Sequence, residues 1–188
     1  KTTFTYDERG NLHKETNPWG QSTSYQYDIW NRPIKVTDYL GKSLRTTYGA
    51  NGSKYNIRSD SDDDSYTSET YNALGWLLES EVSTALGATA VRYEYDALGR
   101  AIGKSEPFAA GGSPQGWTRT EYDRYGRPVQ VTTAHGKTIR TTYDGLKTTV
   151  DDGSKQITTT QNAIGKTISQ QDTGGTIKYT YFGNGALN

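Results

Sequence analysis

The sequence contains no cysteine and no methionine, and only two of its 188 residues are histidine. Without cysteine there are no disulfides and no thiolate metal sites, a composition that fits a bacterial secreted or surface protein that avoids thiols and also fits many cytosolic proteins. The two histidines, His13 and His135, stand at non-equivalent places and bring neither an orienting partner nor a nucleophile, so no catalytic base is built around them. They are expected as solvated side chains. No segment approaches the run of about 18 apolar residues that a membrane-spanning helix needs. Basic and acidic residues balance at 21 each and are interspersed, so the stripe of positive charge that marks a nucleic-acid-binding surface is missing. Apolar residues are scarce as well, at 31% with a mean hydropathy of −0.87, and no stretch shows the periodicity of a long amphipathic helix.

What is present is aromatic. Fifteen Tyr, four Trp and three Phe, with many Thr, are strand formers and argue for ordered β structure in place of disorder. The tyrosines recur in a pattern. Tyr95-Asp96-Ala97-Leu98-Gly99-Arg100 has kin around Tyr6, Tyr27, Tyr48, Tyr71, Tyr122, Tyr143 and Tyr181, with Gln161 in the anchor place of the eighth copy. From Tyr6 to Tyr181 the mean period is about 22 residues, inside the window for repeat arrays. One residue after the anchor stands Asp or Asn in most copies, and four residues after it stands Gly: Gly10, Gly52, Gly75, Gly99, Gly126, Gly165 and Gly185.

These spacings have a mechanical reading. Tyr25 with Tyr27, and Tyr93 with Tyr95, are two apart and so share one face of a strand. The Asx side chain opens a turn by bonding the backbone just ahead. The Gly supplies positive φ, and the chain returns as a second strand. A further Gly cluster closes each unit, so each repeat reads as one β-hairpin. Surplus residues collect at that second turn, at Asp60 to Ser65, Ser83 to Gly87 and Pro107 to Gly116, which suggests that one edge of the array is open. We therefore expect an all-β fold of about nine tandem antiparallel β-hairpins over residues 1–188. It would be a single array and a fragment of a longer protein, its tyrosines and aliphatics buried against the next hairpin.

On these residues the chain resembles the Rhs/YD-repeat family, whose repeat core is Y-D-x-x-G-R. Tyr122-Asp123-Arg124-Tyr125-Gly126-Arg127 matches it again, and Tyr6-Asp7-Glu8-Arg9-Gly10-Asn11 is its Asn variant. The resemblance implies a strip of hairpins that spirals into a hollow shell, of which about nine repeats would form a curved, open strip. In bacterial toxins such a shell encloses a C-terminal toxic polypeptide, and in the animal teneurins it serves adhesion. It implies a secreted or cell-surface bacterial protein, no enzyme activity and no cofactor. Its partners would be the rest of its own shell and the enclosed polypeptide. The family's self-cleaving core region has no counterpart in these residues.

Other sites weigh less. Asp60, Asp62 and Asp64 imitate the start of a calcium loop, but Ser65 stands where the sharp-turn Gly belongs, so a solvated insertion is the favoured reading. The row of Asx residues is a set of turn formers, one per hairpin, not a catalytic pair. Trp19, Trp30, Trp76 and Trp117 share no repeat position. Stacked on sugars they would make a carbohydrate- or cell-wall-binding module or an adhesin, which is the alternative function. The unpaired end strands also invite edge-to-edge self-association.

Overall fold

The computed structural model describes residues 1–188 and is all-β, with eighteen strands and no helix. The chain divides into two compact units, residues 1–93 with 107–114, and residues 94–106 with 115–188. In the first unit run β1 (Thr3–Tyr6), β2 (Leu12–Thr16), β3 (Ser22–Tyr27), β4 (Pro33–Thr37), β5 (Ser43–Asn51), β6 (Lys54–Ser61), β7 (Tyr66–Asn72), β8 (Leu77–Thr84) and β9 (Gly87–Tyr95). The last two residues of β9 already lie in the second unit. There follow β10 (Ala101–Ser105) in the second unit and β11 (Phe108–Ala109) in the first. The second unit continues with β12 (Trp117–Tyr122), β13 (Pro128–Thr132), β14 (Thr138–Asp144), β15 (Lys147–Asp151), β16 (Gln156–Gln161), β17 (Thr167–Asp172) and β18 (Gly175–Lys178). Strands consecutive in sequence pair antiparallel from β1 to β9 and again from β12 to β18. The expected hairpin repeat is the structure's repeat.

Register separates the two faces of each sheet. In the second unit Val131 stands opposite Thr120 and Ile139, and Val150 opposite Thr141 and Ile157. With Tyr122 and Tyr143 they make one face aromatic and aliphatic. On the other face Arg140 stands opposite Gln130 and Asp151, among threonines that bond across strands, as Thr149 does to Thr158 at 3.0 Å. Strand alternation alone produces this division.

No second layer covers either sheet. The accessible surface is 12818 Å², against about 8,900 Å² for a compact protein of 20.8 kDa. Only Ala90 and Phe108 are buried apolar residues. The anchor tyrosines are consequently half-buried at Tyr27, Tyr48, Tyr71, Tyr95, Tyr122, Tyr143 and Tyr181, and exposed at Tyr6. They are not the fully buried residues expected from sequence, because a single-layer sheet offers each ring only its in-plane neighbours.

The insertions differ from the expected solvated loops. Asp60 lies within β6 opposite Tyr66, so the surplus lengthens the ladder of β6 and β7 and leaves a tight turn at Asp64, φ 63°. The longest insertion becomes a strap. Its β11 pairs with β9, Phe108 opposite Ala90 and Ala109 opposite Thr89, and the Arg92 guanidinium lies 4.8 Å from the centre of the Phe108 ring. A strand edge with unpaired amides is covered in this way.

Candidate functional site

The repeated motif is a concentration of polar geometry that recurs along the chain. It is built in three stages. Asp123 comes first. Its Oδ1 accepts the backbone N–H groups of Tyr125 at 2.8 Å and Arg127 at 2.9 Å. The Gly126 N–H donates to the Asp123 carbonyl at 3.0 Å, and the Asp123 N–H to the Arg127 carbonyl at 2.9 Å. Gly126 takes φ 79°, as Gly10, Gly52, Gly75, Gly99, Gly165 and Gly185 take values from 60 to 85°, and Asn31 does the same work at 61°. A side chain in that left-handed region is strained, which explains Gly or Asn there. The register slips by one residue at the motif turns, between Glu121 and Tyr122 and likewise before Tyr6, Tyr27, Tyr71 and Gln161. This is a tight turn closed by a bulge.

Next, the residue after Gly returns to the Asx. Arg127 Nε donates to Asp123 Oδ2 at 2.8 Å, Arg100 Nε to Asp96 at 2.6 Å and Arg32 Nε to Asp28 at 2.7 Å. Partial burial pushes these three carboxyls up. The N–H of the Arg, then its guanidinium, then the N–H two residues after the Asp outweigh this and hold them below the usual 3.8.

The same cation then reaches the following hairpin. The guanidinium carbon of Arg32 lies 4.1 Å from the ring centre of Tyr48, that of Arg100 4.9 Å from Tyr122 and that of Arg127 4.1 Å from Tyr143. Lys166 takes the role over Tyr181 at 4.8 Å. Each tyrosine answers by donating its hydroxyl to the carbonyl of the residue after that cation: Pro33, Ala101, Pro128 and Thr167, at 2.7 to 3.1 Å. So Asp, Arg and the next Tyr form one interlock across a joint between hairpins. In the sequence Arg100 stands only as the last residue of the repeat core. The missed signal was a cation five residues after one anchor position, with an aromatic anchor 15 to 22 residues beyond that cation.

Joints without the cation use substitutes. Asn11 bonds Asp7 and also Asn31 of the next turn, each at 3.0 Å, while Arg9 Nη1 donates to the Asp28 carbonyl. After the Tyr48 turn, Ser53 offers no cation, and Tyr55 stacks on Tyr71 with ring centres 4.9 Å apart and planes 12° from parallel. The Tyr71 hydroxyl donates to Glu69 at 2.6 Å. That hydrogen bond first, and then burial, push its phenol up to about 12. In a spectrophotometric titration we expect the Tyr71 phenol to ionise well above the ordinary 10.0. A raised folded pKa favours the neutral ring, so this stabilisation is complete below pH 10 and is lost as pH climbs from 10 to about 12.

The other sequence candidates do not come together. Asp60 pairs with Arg58 at 2.9 Å, and Asp62 with Arg45 and the Ser43 N–H, both at 2.5 Å. Asp64 sits alone at a turn tip, and no group of His, Asp or Glu side chains is arranged to hold a metal. His13 and His135 are exposed. Trp19 and Trp30 are 83% and 69% exposed at turn tips; Trp76 and Trp117 are half-buried. Asn17 and Asp38 run second turns on the geometry of the motif turns, accepting the N–H groups two and four residues ahead. The Asn17-to-Gly20 and Asp38-to-Gly41 spacing could have announced them.

A tandem β-hairpin repeat in which each motif ties its hairpin to the next defines the class of protein. Residues 6–42 match the RHS Repeat model, and the positive-φ glycine of the motif turn recurs to Gly185. No curated protein sequence matches the chain significantly. Among solved structures, the chain is similar to one in the Photorhabdus luminescens Tc holotoxin pore, with 14% identity and a TM-score of 0.46 over 98% of this chain and 16% of that one. It is also similar to TcdB2-TccC3-TEV, with 16% identity and a TM-score of 0.49 over 100% of this chain and 13% of that one. The same comparison with TcdB2-TccC3 lacking its hypervariable C-terminal region gives 15% identity and a TM-score of 0.44, over 98% and 16% of the two chains. The chain spans about a sixth or less of these proteins' length.

Proposed function

We propose that this chain is a structural, non-catalytic segment of a secreted or surface Rhs/YD-repeat protein, forming part of a hollow β-shell that encapsulates a C-terminal toxin polypeptide. The observation that carries the reading is the interlock. Asp123 holds the Arg127 guanidinium within the turn, and Arg127 with Tyr143 then joins one hairpin to the next, as Asp96, Arg100 and Tyr122 do. A sheet one layer thick with two wet faces is economical as a wall, and the RHS Repeat match supports the same reading. The array of residues 1–188 would act as one stretch of that wall.

The test is limited proteolysis of the whole gene product that contains this array. We expect its C-terminal segment to resist protease in the wild type and to be digested when Arg100 and Arg127 are both replaced by Ala. A segment digested equally fast in both proteins would overturn encapsulation. The glycan-binding reading draws on Trp19, whose 83% exposure at a turn tip suits stacking on a sugar. Saturable binding on a glycan array, lost in Trp19→Ala, would favour that module.

A further inference from the structure

We propose that Tyr55 and Tyr71 form a site of oxidative cross-linking, at which a one-electron oxidant such as hydrogen peroxide with a haem peroxidase joins the two rings as dityrosine and staples β6 to β7. The proposal stands independently of the wall function.

Three features on these strands carry it. Tyr55 and Tyr71 are directly opposite in the register of β6 and β7. Their rings lie 4.9 Å apart and 12° from parallel, the one stacked aromatic pair of the structure. Stacked in this way, the two phenol rings are already held as direct neighbours. Second, the Tyr71 hydroxyl already donates to the Glu69 carboxylate at 2.6 Å. A phenol gives up an electron readily only if its proton has somewhere to go, and Glu69 is that acceptor. Third, the pair is reachable. Tyr55 is 38% exposed, and no second layer lies over the sheet.

The chemistry balances. Each phenol loses one electron and its hydroxyl proton, the Tyr71 proton passing to Glu69 and the Tyr55 proton to water. The two phenoxyl radicals couple through one new bond between the carbons ortho to the oxygens. The hydrogens on those carbons shift to the oxygens and restore both phenols. The sum is a loss of two electrons and two protons, with which one hydrogen peroxide is reduced to two waters. The joint so stapled is one that lacks the cation interlock, since Ser53 stands where Arg32, Arg100 and Arg127 stand in other repeats. In a chain without cysteine, it would be a covalent tie between neighbouring hairpins.

The experiment treats the dilute protein with peroxidase and hydrogen peroxide, then reads intact mass, dityrosine fluorescence and tryptic peptides. The expected result is a monomer lighter by two hydrogens, with the peptide Tyr55–Arg58 linked to the peptide beginning at Ser59 through Tyr71. Tyr55→Phe and Tyr71→Phe should each abolish this product, and Glu69→Gln should slow its formation several-fold. Circular dichroism of each variant establishes that the sheet is intact. The proposal is overturned if no intramolecular product forms, if dityrosine is spread over other tyrosines or between molecules, or if either Phe variant still yields it.

Discussion

Phe108→Ala should destabilise the first unit by about 3 kcal/mol, the lower end for truncating a buried phenylalanine. The expectation rests on how little else is buried. Phe108 is 8% exposed and faces Ala90, which is fully buried, so its ring fills the one place where the sheet has something like a core. It also holds the strap. Without the ring, Arg92 loses the surface it lies on and its 3.4 Å bond to the Gly112 carbonyl becomes the main tie. The pairing of Ala109 with Thr89 and the 3.0 Å bond from the Ala110 N–H to the Ala88 carbonyl are then left to hold a two-residue strand. The measurement is the thermal midpoint, which should fall by roughly 6–12 °C for a chain of this size. Hydrogen exchange at Thr89 and Ala90 should rise at the same time. An unchanged midpoint would show that the strap contributes nothing to the fold.

Tyr143→Ala should cost about 2 kcal/mol, less than a core truncation because the ring is half-buried. The more telling measurement is its coupling to Arg127. With the guanidinium 4.1 Å from the ring centre, the double-mutant cycle Arg127→Ala with Tyr143→Ala should return a coupling of about 1 kcal/mol. Tyr143→Phe keeps the ring and removes only the 3.1 Å bond to the Pro128 carbonyl, so it should cost about 0.5–1 kcal/mol. The interlock is also acid-sensitive. Asp123 has a folded pKa below its ordinary value, so the stability it contributes is present above about pH 3.8 and is lost as pH falls through the lower folded value. If the cycle closes with no coupling, Arg127 belongs to its own turn alone.

The hairpin and its period were legible because they are written locally. Asp96 and Gly99 close a turn within five residues, and any copy of that turn must respect the same backbone angles. Joints were not legible, because Arg127 meets Tyr143 only after the chain has run out along β13 and turned back as β14. The pairing appears only when the register between β13 and β14 is known. Burial of the tyrosines was overestimated for a related reason: alternation shows which residues share a face, and says nothing of whether a second layer covers it. The strap was hidden by its brevity, since the two residues of β11 carry no periodicity and Phe108 stands among Gly, Pro and Ser. Asp60 was misplaced because a run of acids imitates a loop, while β6 and β7 simply extend into it.

The interlocks also fix how the sheets would yield to force. Within the second unit, tension applied across the strands loads the joints in series, so the weakest one parts first and the others keep their shape. The joint of β15 with β16 has neither a cation nor an anchor ring, only its ladder and the bond between Thr149 and Thr158. Hairpins on either side would part there as whole pieces. Each hairpin that then unravels would release about 22 residues, roughly 75 Å of extended chain. Such a sheet lengthens in steps, and between steps it is stiff.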